Sequence, residues 1–185
     1  HVPEVQGGGL FMIRVLKASL DEMECECILR SVTSELESDT QVSRDLELRA
    51  GSAVVERLQA MGDLPVGAAV VTPGGDLQAA FLIHTVLQSP EDPTRKEILR
   101  IGLQNGLRRA QEWGVEVLAM PVLGAGAGHL SAEESAQIMV PMIHEHLVRF
   151  QHPREILLAV ASDYEEDVFL RAVELVQRQA SAREN

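Results

Sequence analysis

The stretch Met120-Pro-Val-Leu-Gly-Ala-Gly-Ala-Gly-His-Leu-Ser-Ala-Glu-Glu-Ser-Ala136 limits more than any other what this chain can become. The apolar run over 115–123 predicts a buried strand. Gly124, Ala125, Gly126, Ala127, Gly128 and His129 follow it. Ser131, with Glu134 three residues on, carries the capping-box signature of a helix start. Strand, glycine loop and helix start in that order turn main-chain N–H groups and the positive end of a helix dipole toward a space that side chains do not fill. Such a space favours an anion, usually a phosphate. The other reading is a tight strand-to-helix turn that needs glycine only for packing.

The rest of the chain supplies the layers around this turn. Strands are expected at 11–16, 25–32, 66–72, 80–87 and 155–161 from β-branched or apolar runs. Helices are expected at 42–58, broken near Gly51, and at 94–113, capped by Thr94 and ending on a core-packed Trp113. Two more are expected from Ser131 onward, kinked or broken at Pro141, and over 163–179. A chain that opens with strands and then alternates strand and helix predicts an α/β fold, a three-layer α/β/α arrangement on a mixed central sheet. One domain over 12–180 is the reading, with 1–11 as a disordered lead-in or tag remnant and 181–185 as a frayed tail.

Composition then removes several function classes. With 16 Lys and Arg against 28 Asp and Glu, the net charge of −12 argues against a nucleic-acid binder working through a basic face. No apolar run reaches membrane-spanning length, so no membrane partner is expected. The two cysteines, Cys25 and Cys27, lie at i, i+2, on one face of a strand, where they are poor disulfide partners. Two buried free thiols in a reducing cytoplasm fit this spacing, and neither a metal nor a cofactor is expected. His84 sits in an apolar strand and reads as a hydrogen-bonded core histidine. His144 and His146 diverge around a helix and read as surface residues.

Three segments stand together: Val66-Gly-Ala-Ala-Val-Val-Thr-Pro-Gly-Gly-Asp-Leu77, Phe81-Leu-Ile-His-Thr-Val86 and Met120–Leu130. They resemble the macro domain family, the ADP-ribose-binding α/β/α module. The first is similar to its strand and turn ending in T-x-x-G-N-L, with Asp76 in the place of Asn, the second to its Y-V-I-H-x-V strand, and the third to its F-P-x-[LI]-[GS]-[TA]-G-x-G-G-x loop. The resemblance implies that Gly124, Ala125, Gly126, Ala127 and Gly128 wrap a diphosphate and the distal ribose, with His129 crowding that pocket or adding a donor. It also implies ligand contacts at Ser19, Leu20, Thr33 and Val42, and at Tyr164 against the adenine.

The other ligand loop departs from the family. Its pattern N-A-A-N-x-x-L-x-x-G-G-G-V puts Arg30 and Thr33 at the two Asn positions and Asp39-Thr40-Gln41 at the glycine run; Leu36 and Val42 keep the pattern. The adenine-contacting G-D-[IV] falls on Ala18-Ser19-Leu20, which leaves Asp21 as the nearest carboxylate. A carboxylate at 39 placed about 4 Å from a diphosphate would repel it by roughly 4 kcal/mol at an effective dielectric near 20. Arg30 either pairs with a phosphate or faces solvent at a strand end.

The expectation is therefore a module that binds ADP-ribose or a related phosphate-bearing nucleotide through 124–129 with altered or weakened affinity. The small molecule is its partner, free or carried on an ADP-ribosylated protein. An ADP-ribosyl hydrolase is an alternative, but Thr33 and Ser43 stand where family hydrolases place substrate-positioning groups, Asp45 falls two residues late, and no catalytic residue is assigned. A degenerate scaffold or oligomer subunit is the third reading.

Overall fold

The computed structural model describes residues 4–7, 11–125 and 129–184. Among the described residues seven strands form one sheet: β1 (Glu4–Gly7), β2 (Phe11–Lys17), β3 (Cys27–Thr33), β4 (Ala69–Pro73), β5 (Phe81–Gln88), β6 (Val117–Pro121) and β7 (Glu155–Val160). Their order is β1-β2-β7-β6-β3-β5-β4. The five inner strands β2, β7, β6, β3 and β5 are mutually parallel, and the edge strands β1 and β4 run antiparallel to their neighbours. The sheet is mixed, as the order of elements predicts. β3 and β5 read as near-continuous apolar runs because both of their faces are covered.

Five helices cover the two faces. α1 (Gln41–Ala50) and α2 (Ser52–Met61) pack Leu46, Ala50, Val54 and Leu58 on Ile28, Val32, Leu82 and Val86. On the other face α3 (Lys96–Glu112), α4 (Ala132–Arg149) and α5 (Asp163–Glu184) pack Leu99, Leu103, Met139, Ile143 and Phe169 on Leu29, Ile83, Leu118 and Ile156. Gly51 separates α1 from α2 with φ +95°, a left-handed value that ends one helix and starts the next.

Several expectations are corrected. The stretch expected as a lead-in contributes β1, which pairs Glu4–Gly7 with Phe11–Arg14. α5 runs five residues past 179, through the stretch expected to fray. α4 continues through Pro141 to Arg149 without a break. Thr94 is not the cap of α3, where Arg95 holds that place; its hydroxyl instead donates to the Leu87 carbonyl, 3.1 Å away and fully buried. Trp113 is 54% exposed, its ring tilted against Phe81 with centroids 5.0 Å apart. His146 is buried rather than on the surface, with Nε2 2.9 Å from the His152 carbonyl.

Candidate functional site

β3 and β6 are neighbours and run parallel, yet the chain leaves them in opposite directions. After β3 it goes to α1 on one face, and after β6 to α4 on the other. Connections that part in this way open a crevice at the carboxyl ends of the strands, the usual ligand position in open α/β sheets. A cleft of about 380 Å³ lies at that edge. Its walls are Lys17, Ala18, Ser19 and Leu20 after β2, Val42 in the first turn of α1, Pro121 at the end of β6, and Ala159, Val160 and Ala161 at the end of β7. The walls are mostly small and apolar. The Lys17 ammonium is held 2.7 Å from Asp163, and the Ala161 N–H donates to Glu165 at 2.8 Å.

On the α4 side the capping box forms as expected. The Ser131 hydroxyl accepts from the Glu134 N–H at 3.1 Å, and Glu134 accepts from the Ser131 N–H at 3.0 Å. These bonds, with Lys96 3.1 Å from its other oxygen, hold the Glu134 carboxyl below its usual range. Gly124 takes φ +86°, and a Cβ there would stand 2.9 Å from Leu130. Ala125 is half-buried; Gly126, Ala127 and Gly128, the centre of the expected phosphate loop, lie outside the described residues. His129 sits in a depression with the start of α3 rather than among the cleft residues. Sequence reasoning missed Ser135: it is fully buried, its hydroxyl has no partner among the described residues, and it lies 3.5 Å from where a Gly124 Cβ would be. A serine on the apolar stripe of α4, next to Ala136 and Met139, was the available signal.

The α1 side overturns both readings of Arg30, which neither faces solvent nor reaches into the cleft. Its side chain is 1% exposed and tied into the interior. The β3–β5 register sets Arg30 beside His84, and Ser43 and Glu47, one turn apart on α1, come down over it. Nε–H donates to His84 Nδ1 at 2.9 Å, and one terminal nitrogen donates to Ser38 Oγ at 2.8 Å and Ser43 Oγ at 3.1 Å. The other stands 3.2 Å from Glu47. Since an arginine only donates, His84 Nδ1 accepts and the ring proton sits on Nε2. Nε2–H then donates to Thr72 Oγ1 at 2.8 Å, and the Thr72 hydroxyl to the Pro73 carbonyl at 3.0 Å. His84 is thus the core histidine expected.

The three side chains that replace the glycine run fold back onto the protein. The Ser31 hydroxyl donates to Asp39 at 2.7 Å, Thr40 caps α1 by accepting from the Ser43 N–H at 3.0 Å, and Gln41 donates to Asp45 at 2.7 Å. Burial pushes the Asp39 carboxyl up, against the Ser31 bond and the Arg30 charge, and its second oxygen is buried without a partner among the described residues. Thr33 closes the turn after β3, its hydroxyl accepting from the N–H groups of Glu35 and Glu37 at 3.3 Å. Asp21, the nearest carboxylate to the adenine position, pairs with Arg49 at 3.0 Å. Of the expected contacts, Ser19, Leu20 and Val42 share the cleft; Thr33 does not line it, and Tyr164, 59% exposed, stands at the start of α5 on a different groove.

Burial, with the Arg30 charge adding to it, pulls the His84 ring well below its ordinary range, so the folded protein keeps it neutral where the unfolded chain protonates it. Stability must fall as pH drops below the ordinary imidazole value, by up to about 1.4 kcal/mol per pH unit from this residue. Urea unfolding from pH 7 to pH 5 should show that slope, and His84→Gln should reduce it by up to one proton's worth. Asp39 acts with the opposite sign: its raised carboxyl pKa removes stability as pH rises above the usual carboxylate value.

Burial also drives the Cys25 thiol up to about 11 and the Cys27 thiol further, so both stay protonated at neutral pH. Among the described residues no three His, Cys, Asp or Glu side chains converge as a metal site would need, and no helix is long and apolar enough to cross a membrane.

The Macro domain family profile matches residues 30–139. An uncharacterized protein of Aeropyrum pernix is 31% identical over 160 residues, covering 82% of this chain and 80% of its own length. A macro domain-containing protein of Caldanaerobacter subterraneus is 25% identical over 168 residues, covering 88% of this chain and 95% of its own. Among solved structures, an Oceanobacillus iheyensis macrodomain variant with ADP-ribose superposes with a TM-score of 0.84 at 17% identity, over 95% of this chain and 98% of that one. The parallel core of the sheet, the two helical layers and the matched segment agree: the chain belongs to the macro domain family.

Proposed function

We propose that this chain binds ADP-ribose or a related phosphate-bearing nucleotide, free or carried on a protein. The ligand lies in the cleft over the ends of β6 and β7, beside the start of α1. Main-chain amides of 124–129 hold the diphosphate, and Ser19, Leu20 and Val42 line the far wall. The observation that carries this reading is the 380 Å³ cleft at the point where the connections after β3 and β6 part to opposite faces. A second point supports it: Asp39, Thr40 and Gln41, which threatened to fill or repel, spend their side chains on Ser31, α1 and Asp45. Affinity is below that of a glycine-lined loop, because Asp39, Thr40 and Gln41 carry side chains where glycine would let the backbone approach the ligand. Arg30, Thr33 and Ser43 are committed to internal bonds. The side chains therefore favour binding over hydrolysis.

Calorimetry with ADP-ribose, ADP and NAD tests this. ADP-ribose should bind, and Val42→Glu should weaken it about ten- to a hundredfold by setting a carboxylate at the cleft wall. Val42 is 40% exposed, so the variant keeps its fold. Absence of binding heat for all three nucleotides at millimolar concentration overturns the proposal.

A further inference from the structure

Outside the cleft, α4 and α5 leave a furrow along their outer side. Two cavities of about 550 and 490 Å³ share Pro141, Val176 and Gln179, so they form one continuous depression. Its apolar middle includes Ala172, Leu175 and Val176, and Leu175 is 55% exposed. Val148, 59% exposed, stands beside it. The two helices run in the same direction, since Glu133 and Asp167 lie at one end of the furrow and Arg149 and Arg183 at the other. With Arg171 in the first cavity and Glu145 in the second, the acidic end carries one net negative charge and the basic end one net positive. The face is therefore neutral overall on a chain of net charge −12.

We propose that this face is where a second copy of the chain docks, through a twofold axis perpendicular to the furrow. That symmetry lays α4 over the partner's α4 and α5 over its α5 with the acidic end of one copy on the basic end of the other, so that Asp167, eight residues before Leu175, faces the partner's Arg183, eight residues after it. It also sets the two helix pairs antiparallel, with opposed dipoles, and brings Leu175 against the partner's Leu175 at the centre. Nucleic acid is a poor occupant for a face that is balanced rather than basic. A second copy meets less repulsion here than through a face that carries the chain's net negative charge. Helices of 18 and 22 residues present a face about 30 Å long and about 20 Å wide, roughly 500–600 Å² per copy, at the lower end of specific interfaces. The association is thus weak and concentration-dependent.

Sedimentation equilibrium on the whole chain at low salt tests it. The mass should double with a midpoint on the order of 10–500 μM, as an interface of that size supports. Leu175→Glu should remain monomeric with an unchanged circular-dichroism spectrum. Asp167→Arg and Arg183→Glu should each weaken association about threefold or more, and the two together should restore it, because each copy then offers the reversed pair. A chain that stays monomeric at about 1 mM, or whose dimer survives Leu175→Glu, overturns the proposal. A double variant no better than its parents overturns the antiparallel arrangement, and with it the proposal.

Discussion

Replacing Arg30 with Leu is expected to cost about 3–5 kcal/mol of folding stability, read as a lower urea midpoint at pH 7 with an unchanged slope. The guanidinium is 1% exposed and reaches Glu47, His84, Ser38 and Ser43 at once. A leucine fills most of the volume but leaves the buried His84 Nδ1 without a donor, takes the Arg30 donor from Ser38 Oγ, and leaves the Ser43 hydroxyl only its bond to the Ser31 carbonyl. Those orphaned groups set the size of the loss, more than the lost ion pair, since Glu47 keeps a quarter of its side chain in contact with solvent. Arg30→Lys should recover only a minor part, because an ammonium cannot offer the same fork toward β5 and α1 together. A loss below about 1 kcal/mol for Arg30→Leu would mean that the network is ornamental.

The second large effect is expected at Gly75. Its φ of +62° is left-handed, and a Cβ there would run into the Ala50 carbonyl oxygen. That same oxygen accepts from the Asp76 N–H at 2.9 Å, so the turn after β4 is pinned against the last residue of α1. Gly75→Ala must pay for an unfavourable backbone and for a clash that no rotamer can relieve, together about 2–4 kcal/mol. Thermal unfolding should show a drop of roughly 5–15 °C for a domain of this size. Gly114, at φ +63° and with nothing within 4 Å of an added Cβ, serves as the control: Gly114→Ala meets a similar φ penalty without the clash and should lose less.

The layers were legible in the sequence because their signals are local. Runs such as Phe81–Val86 and Ile156–Val160 announce covered strands, Gly51 marks the break between α1 and α2, and Ser131 with Glu134 marks the start of α4. β1 was hidden, since Glu4–Gly7 shows neither alternation nor β-branched content beyond Val5. The candidate site was legible only where it coincides with a family motif. Ser19, Leu20 and Val42 came through the resemblance, whereas Lys17, Pro121 and Ala159–Ala161 are strand ends that sheet order alone gathers. Arg30 was misread because its partners lie 8, 13, 17 and 54 residues away, on a loop, a helix and another strand. No window of sequence contains that set. Asp39 was judged as though it pointed at the ligand, yet a serine eight residues upstream claims it.

The interior cation has a historical consequence. Relatives with an asparagine at this place and this chain are not one viable substitution apart. Asparagine at 30 would take a partner from Glu47, Ser43 and His84 together, so an ancestor could cross between the two walls only by changing the α1 partners in concert, or by passing through forms too unstable to persist. Positions 30, 43 and 47 should accordingly vary as a block across the lineage that carries this arginine, while the histidine at 84, which the family strand shares, stays.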